Sequence, residues 1–404
     1  MLTYTYRAKD PISGKRVSGN IQADNESAAS KALMAQHLTP LDIKVRDVNS
    51  HGGAGFLDRI RTKDKIIFSR QLSTLINAGV PLVQSLRNVM QQTQSKKFQA
   101  VIVQVITSVE SGSTFSAALS KHPKVFNRIY ISLVAAGEAS GTLDQALERL
   151  ATQQEKDAEL ASKVRGAMIY PLIVLLVMAG VVGFMVVAVL PQVENLYTGT
   201  PGISLPLVTK ILLGVSHFVT KYWWAVIISI VALGIFGSRW GRTLAGRKVF
   251  DKIKMRAPLF GQLFMKIYMA RFARTATTLV ASGVPMIQML DIAAEAVDNV
   301  HIANSLKGAQ EMVKGGKALS MALQGDSNFL TLVPNMIQTG EQSGALEVML
   351  GKVADYYEKE VDTQVKTIST IIEPALMVVL GIVAFIIVAA ILLPIYSLVG
   401  KSFV

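Results

Sequence analysis

The sequence predicts a mainly α-helical membrane protein in which one helical bundle and one membrane span occur twice. Residues 68–86 (FSRQLSTLINAGVPLVQSL) and 272–290 (FARTATTLVASGVPMIQML) are identical at nine of nineteen positions. Each copy is followed by about twenty uncharged apolar residues, long enough at about 1.5 Å per residue to cross a bilayer of about 30 Å. The first 48 residues have a different pattern, which predicts a small ββαβ unit.

The N-terminal unit is predicted from alternation of apolar and polar residues. Leu2, Tyr4 and Tyr6 alternate with polar residues, as in a half-buried strand, and a turn follows at residues 10–14. The predicted elements are strands at 2–8, 17–23 and 41–45 and a short helix that ends near Gln36. Residues 49–63, which include His51-Gly52-Gly53, then form a flexible linker.

The two copies are predicted to be cytoplasmic helical bundles of about six helices each, at residues 64–168 and 267–371. Phe68 and Leu72 begin an apolar face at helical spacing, and Phe272 and Ala276 repeat it. A glycine that ends one helix and a proline that starts the next predict the same helix corner in both copies. These corner residues are Gly79, Pro81, Gly283 and Pro285.

Three membrane spans are predicted, at residues 169–191, 221–238 and 372–396. The first and third belong to the repeat, and prolines mark their boundaries: Pro171, Pro191, Pro374 and Pro394. The second lies between Lys221 and Arg239 and has aromatic residues at one end, as is typical of a headgroup region. Because the first span carries the chain out, a second must return it before the second bundle is made.

Positive charge predicts the orientation of the chain. A basic patch follows the second span, within a juxtamembrane segment at residues 239–266, and basic residues collect on the cytoplasmic side. The patch consists of Arg239, Arg242, Arg247, Lys248, Lys252, Lys254 and Arg256. The N-terminus and both bundles are therefore predicted inside, with a periplasmic loop at residues 192–220 and a tail at residues 397–404 outside. The patch binds either anionic lipid or an acidic protein surface.

The strongest polar signal is the repeated pattern G-E-x-S-G-x-L, which occurs in both bundles. It comprises Gly137, Glu138, Ser140 and Gly141 in the first copy, and Gly340, Glu341, Ser343 and Gly344 in the second. One interpretation is a tight helix corner, in which Ser140 or Ser343 caps the next helix and the glutamate lies near its positive end. The other is a contact with a partner, or an ion site shared between the bundles.

Composition and motifs offer little for catalysis. Half of the residues are hydrophobic, 17% are charged, and the net charge is +13. The absence of cysteine excludes disulfides and thiolate chemistry, and the five histidines are scattered without metal-ligand spacing. We therefore expect a protein that is not an enzyme and that needs no metal or cofactor.

In the order and duplication of these motifs, the chain resembles the inner-membrane platform proteins of type IV pilus and type II secretion systems, the PilC/GspF family. The resemblance implies that the protein couples a cytoplasmic hexameric ATPase to pilin or pseudopilin subunits, alongside other inner-membrane assembly proteins, and that it forms dimers or higher homo-oligomers. The ATPase would then displace the bundles, and helices that enter the membrane would pass that motion to the spans. Ala345 replaces Thr142 in the second copy, which leaves equal roles for the two bundles open.

Two other functions would require different features of the sequence. A small parallel-repeat transporter predicts polar or broken helices at mid-membrane and more spans. A membrane signalling scaffold predicts an outer domain of ligand-binding size, whereas residues 192–220 form only a short segment.

Overall fold

The computed structural model describes residues 2–9, 16–23, 30, 32, 34, 35, 39–45, 60–189, 191, 192 and 207–399. The chain forms two compact units. The first is Met1–Arg61 together with Ser95–Phe98, and the second is Thr62–Gln94 together with Gln99–Val404. Apart from Ser95–Phe98, both helical bundles and all the apolar helices described below therefore belong to one unit.

The N-terminal unit contains a three-stranded antiparallel sheet. Its strands are β1 (Leu2–Lys9), β2 (Arg16–Ala23) and β3 (Thr39–Val45), with β1 in the centre. Tyr4 pairs with Ile21 on one side, and Tyr6 pairs with Ile43 on the other. The helix that the sequence predicts between β2 and β3 lies mostly outside the described residues, as does the predicted linker.

The first bundle consists of five helices and the beginning of a sixth. They are α1 (Thr62–Asn77), α2 (Leu82–Gln92), α3 (Lys96–Glu110), α4 (Phe115–Ser120), α5 (Arg128–Ser140) and α6 (Leu143–Phe184). Phe68 and Leu72 of the predicted apolar face are fully buried. They form the core with side chains such as Leu86, Phe115 and Leu133.

Within residues 207–240 two helices follow the first span, and the second bundle repeats the first. The two helices are α7 (Leu207–Lys221) and α8 (Trp223–Trp240), and α9 (Leu244–Arg256) leads into the bundle. The second bundle comprises α10 (Phe260–Ala281), α11 (Met286–Ala296), α12 (Val300–Lys314), α13 (Leu319–Leu323), α14 (Leu332–Ser343) and α15 (Leu346–Val399). The predicted number of helices per bundle thus agrees with the structure.

The predicted corners have the geometry that their glycines permit. Gly79 and Gly283 have φ values of 79° and 76°, in the left-handed region that residues with a Cβ avoid. Pro81 and Pro285 lie at the N-caps of α2 and α11, one residue before each helix begins. The corner is therefore the same in both copies.

Each bundle is joined to the membrane by one continuous helix. Helix α6 contains 42 residues and passes through Pro171, and α15 contains 54 residues and passes through Pro374 and Pro394. The helix thus continues past Pro394 to Val399, and the span boundaries at these prolines stay a prediction. We call residues 143–170 of α6 and 346–373 of α15 the first and second stalks.

Three helices among the described residues are long and apolar enough to cross a membrane: α6 with its extension to Val189, α8, and α15 up to Ala389. These are the three predicted spans. The apolar parts of α6 and α15 flank a groove of about 250 Å³ whose lining includes Val177, Val181 and Ala384. None of the residues of α8 is buried.

The predicted outer loop contains a helix that the sequence analysis missed. Helix α7 buries Leu213 against Val186, where the first span changes to a π-helical turn at Met185–Val189. A π-helical turn frees carbonyls from the regular α-helical pattern, and the Ser216 hydroxyl donates a hydrogen bond to the Val186 carbonyl. The end of the span is thus held by a neighbouring helix.

The corner geometry predicts different effects for two glycine substitutions. We expect Gly283→Ala to lower the free energy of unfolding by about 1–2 kcal/mol, because its φ of 76° is unfavourable for a residue with a Cβ. Gly308→Ala is the control, since it lies inside α12 with open space around the added methyl group. It should be neutral or stabilising by up to about 1 kcal/mol. Denaturant unfolding in detergent measures both, and equal values would contradict the assignment.

Candidate functional site

The G-E-x-S-G pattern lies at the corner between the fifth and sixth helices of each bundle, where the stalk begins. Gly141 and Gly344 have φ values of 71° and 68°, and each ends its helix in the left-handed conformation. The Thr142 amide donates a hydrogen bond to the Gly137 carbonyl over 2.8 Å, which closes the first corner. The corner that the sequence predicts is therefore present in both copies.

The repeated glutamate caps a different helix from the one expected. In the first bundle, the Glu138 carboxylate accepts hydrogen bonds from the Phe115 amide over 2.6 Å and from the Ser116 amide over 3.1 Å. The Ser116 hydroxyl donates to the same carboxylate over 2.7 Å. These groups form the start of α4, so the glutamate satisfies amides that the helix leaves unpaired.

The second bundle repeats this cap. The Glu341 carboxylate accepts hydrogen bonds from the Leu319 amide over 2.6 Å, and from the Ser320 amide and hydroxyl. In both copies the acid ties the fifth helix of the bundle to the start of the short fourth helix. Most of the hydrogen-bonding capacity of the two carboxylates is therefore used within the fold.

The serines of the pattern do not cap the stalks, so that expectation is wrong. The Ser140 hydroxyl donates to the Ala136 carbonyl over 2.8 Å, and the Ser343 hydroxyl donates to the Thr339 carbonyl over 2.7 Å. Each serine is thus bonded within its own helix, a common pattern for serine near a helix end. Thr142 contacts Ser140 hydroxyl to hydroxyl at 2.7 Å, a contact that Ala345 cannot make in the second copy.

The first glycine of the pattern allows the stalk to approach closely. A Cβ added at Gly137 would lie 2.5 Å from the Ala146 Cβ, and one added at Gly340 would lie 2.8 Å from the Leu346 Cα. Both distances are shorter than a van der Waals contact, so only glycine fits without a shift of the backbone. The pattern therefore positions the stalk in three ways: by close packing, by a helix cap and by a left-handed turn.

An arginine that the sequence analysis did not single out holds each stalk to its bundle. Arg70 of α1 forms ion pairs with Glu148 and Glu155 at 2.5 Å and donates to the Thr152 hydroxyl over 3.2 Å. The repeated segments begin FSR and FAR, so the arginine is identical in both copies. That identity was the signal in the sequence that could have identified it.

The second copy of this arginine is more deeply buried. Arg274 of α10 forms ion pairs with Asp355 at 2.6 Å and with Glu358 at 2.7 Å. Its side chain is 17% exposed, whereas that of Arg70 is 34% exposed. The same pair of helices is thus linked by the same residue in both bundles.

The first bundle packs against the second through one face of the first stalk. The Thr278 hydroxyl donates to the Gln153 side-chain carbonyl over 3.1 Å, and Arg149 donates to the Ala281 carbonyl. Lys163 pairs with Asp362 at 2.6 Å, and Lys156 lies 3.8 Å from Glu358.

Two further contacts extend this interface. Arg128 pairs with Asp291 at 2.7 Å and with Glu295 at 2.8 Å, which links α5 to α11. The Asp157 carboxyl of the first stalk lies at this interface, and burial raises its pKa above the ordinary value. The positive charges of Arg271 and Arg274 in the second bundle reduce that increase. The two bundles therefore form one unit joined by polar and charged contacts.

The predicted basic patch is partly used by the fold. Arg247 pairs with Asp298, and Lys254 lies 3.4 Å from the buried Asp251, whose carboxylate also accepts from the Val300 amide over 3.0 Å. The remaining members are exposed, as are Leu244 and Ile253 of α9. The helix that follows the second span thus presents both basic and apolar side chains.

The described residues contain no group of three or more His, Cys, Asp or Glu side chains that could hold a metal ion. These residues therefore offer no set of metal ligands for the predicted ion site at the G-E-x-S-G corner.

Comparison with known proteins agrees with this architecture. The family model described as type II secretion system protein F matches twice, at residues 68–191 and 272–394. A second model, for the N-terminal domain of the same protein, matches residues 1–44. The chain belongs to the type II secretion system protein F family.

Relatives in this family cover nearly the whole chain. A type IV pilus assembly protein PilC of Thermus thermophilus is 38% identical and covers 99% of both chains. The Myxococcus xanthus PilC is 37% identical and covers 96% of this chain and 93% of its own length. A type II secretion system protein F of Pseudomonas aeruginosa is 34% identical over 98% of this chain and 99% of its own. The expected resemblance is thus confirmed, and the protein is a multi-pass membrane protein of this family.

Removal of one glutamate cap should destabilise the second bundle. We expect Glu341→Ala to lower the free energy of unfolding by about 0.5–2 kcal/mol, because the amides at the start of α13 lose their acceptor. Glu341→Gln should have a smaller effect, since its amide oxygen still accepts one hydrogen bond. Gln342→Ala is the matched control, because it is the exposed neighbour in α14. If Glu341→Ala and Gln342→Ala unfold at the same denaturant concentration, the cap does not stabilise the bundle.

The two arginines should differ in their contributions. We expect Arg274→Ala to cost about 2–3 kcal/mol, because it leaves Glu358, which is 12% exposed, without its main partner. Arg70→Ala should cost about 1 kcal/mol or less, because Glu148 and Glu155 are 46% and 42% exposed and water can solvate them. Unfolding of the two variants under identical conditions measures the order, and a larger effect at Arg70 would contradict it.

Proposed function

We propose that this chain is the inner-membrane platform protein of a type IV pilus or type II secretion assembly machine. The observation that carries the proposal is the pair of family-matched bundles, each continuing into the membrane as one unbroken helix. A protein built in this way transmits force between the cytoplasm and the membrane, and its chemistry needs no bond-making site. The names of the relatives, type IV pilus assembly and type II secretion, support the same role.

The proposed partners follow from that role. On the cytoplasmic side, a hexameric assembly ATPase acts on the bundles, and within the membrane the spans contact pilin or pseudopilin subunits. Other inner-membrane assembly proteins and further copies of this chain complete the machine. We infer that the protein is not an enzyme and carries no cofactor; the ATPase supplies the energy, and this chain passes on the motion.

The proposed orientation places the N-terminus and both bundles in the cytoplasm and the C-terminus outside. Basic residues support it, because the exposed members of the patch after the second span lie where anionic lipid headgroups would be. Helix α9 adds Leu244 and Ile253 to the same surface, which suits a helix at the membrane interface. In this orientation, α7 lies on the outer side.

We propose the domain boundaries that the sequence predicts, with one refinement. The stalks and spans are continuous helices, so the boundaries near residues 168 and 371 divide single helices. We also infer that residues 1–48 form the ββαβ unit, supported by the three strands and by the match to the N-terminal family model. The exposed residues of the corners, Ser140, Gly141, Ser343 and Gly344, remain the predicted contact for a partner.

Deletion of the gene tests the proposed function. We expect the deletion strain to lose surface pili, or secretion of exported proteins through the outer membrane, while the assembly ATPase is still produced. Electron microscopy of pili and assays of secreted protein measure the two outcomes and separate the two machines. Expression of the chain from a plasmid should restore the lost process. A deletion strain with normal pili and normal secretion would overturn the proposal.

A further inference from the structure

The face through which the first stalk contacts the second bundle has a counterpart on the second stalk that is uncovered. The stalks align with Gly141 at Gly344, so Gln153 corresponds to Tyr356 and Leu160 corresponds to Thr363. Gln153 and Leu160 are 3% and 5% exposed, whereas Tyr356 is 47% exposed and Thr363 is also exposed. The two bundles therefore pack head to tail, which leaves one copy of each half-interface free.

The charged residues that join the two bundles have counterparts of the same charge at the equivalent positions of the two stalks. Within the chain, Lys156 and Lys163 face Glu358 and Asp362. The counterparts of these lysines are Lys359 and Lys366, both exposed on the second stalk; Lys359 lies at the edge of the cavity between the stalks, and Lys366 does not line it.

The counterparts of the acids are Glu155 and Glu159 on the first stalk. Their side chains are 42% and 49% exposed, compared with 12% for Glu358. Glu155 is bound to Arg70 just as Glu358 is bound to Arg274, and Glu358 contacts a lysine of the other bundle in addition. Glu159 pairs with Lys163 of its own stalk at 2.9 Å and lies at the edge of the existing interface. An exposed basic surface and an exposed acidic surface thus match the halves of the interface already formed.

The uncharged contacts of the interface are also compatible with a second use. Gln153 contacts Thr275 and Thr278, whose counterparts on the first bundle are Gln71 and Thr74. These residues can bond to the hydroxyl of Tyr356, the counterpart of Gln153. Tyr356 and Lys352 also line an open cleft of about 530 Å³ beside the second stalk, which gives room for a docked helix. The ion pair between Arg128 and Asp291 has no equivalent on the exposed faces. The counterparts of these two residues are Thr331 and Arg87, which cannot form an ion pair.

We propose that a second copy of this chain docks there, with the acidic side of its first stalk, Glu155 and Glu159, against Lys359 and Lys366 of the second stalk. Both copies then have the same orientation in the membrane, as a shared bilayer requires. Contacts of this head-to-tail type close into a ring when the rotation permits and otherwise form an open row. The proposal specifies the self-association included in the proposed function, and it can hold or fail independently of pilus assembly or secretion.

The test uses the full chain, which contains no native cysteine. One tagged copy carries Thr363→Cys and a differently tagged copy carries Thr152→Cys. Leu160 is the counterpart of Thr363, and Asp355 is the counterpart of Thr152. Both line one cavity between the stalks of the same chain, so Thr363 and Thr152 should be close across the proposed interface. Addition of a short bismaleimide to membranes that contain both copies should therefore give a covalent dimer with both tags. Thr107→Cys replaces Thr152→Cys in the control, because Thr107 is also an exposed threonine but lies on α3 and not on the first stalk.

A charge exchange then tests the ion pairs. We expect Lys366→Glu in the first copy to lower the yield of mixed dimer about tenfold, because attraction becomes repulsion. Glu159→Lys in the other copy should restore the yield. Because Glu159 also pairs with Lys163 and Lys156 of its own stalk, Glu159→Gln with an unchanged first copy is the control for the loss of that pair. Unchanged membrane insertion and thermal unfolding of each variant show that the loss is not due to misfolding.

Three results would overturn the proposal. They are a mixed dimer no more abundant than the Thr107→Cys control, coupling of Thr363→Cys to itself at the same yield, and failure of Glu159→Lys to restore the yield. The two proposals can be separated. If crosslinking occurs as expected but deletion of the gene leaves pili and secretion intact, the interface is supported and the platform role is rejected.

Discussion

The rest of the structure depends on the rule that a chain in a lipid bilayer must satisfy its backbone hydrogen bonds within itself. A loop between bundle and span would expose unpaired amides and carbonyls as it enters the membrane, and this chain avoids one in both copies. Helices α6 and α15 begin inside a bundle and continue into the apolar region without a break. The bundles in turn hold the first half of these helices, through a buried face, an arginine and a glycine that allows close packing.

Duplication gave two bundles of the same design, and their differences lie where they meet. Arg70 and Arg274 form equivalent ion pairs, but Glu358 beside Arg274 is covered and 12% exposed, whereas its counterpart Glu155 beside Arg70 is 42% exposed. The glutamate cap is the same in both copies because it serves each bundle internally. Residues of the inter-bundle face differ more between the copies. Gln153 is buried between the two bundles, whereas its counterpart Tyr356 is exposed on the second stalk.

Local features of the fold were predictable from the sequence, whereas contacts between distant residues were not. The Gly79 and Gly283 corners follow from the conformational freedom of glycine, and the spans follow from length and apolarity. The glutamates of the G-E-x-S-G pattern could be identified, but their partners lie about twenty residues earlier in the chain, at a helix start that no local pattern links to them. Helix α7 did have a signal, since Leu207, Ile211 and Val215 recur at helical spacing. The pairing of Arg274 with Glu358 depends on how two helices pack, and sequence spacing alone does not define it.

The length of α15 has a mechanical consequence. At about 1.5 Å per residue its 54 residues extend roughly 80 Å, from the second bundle to the far end of the apolar region. A rod of that length acts as a lever. A tilt of about 5° at one end displaces the other end sideways by about 7 Å, which approaches the distance of about 8–10 Å between the axes of packed helices. A small rotation of the bundle is thereby amplified into a lateral shift of most of a helix diameter at the far end of the span.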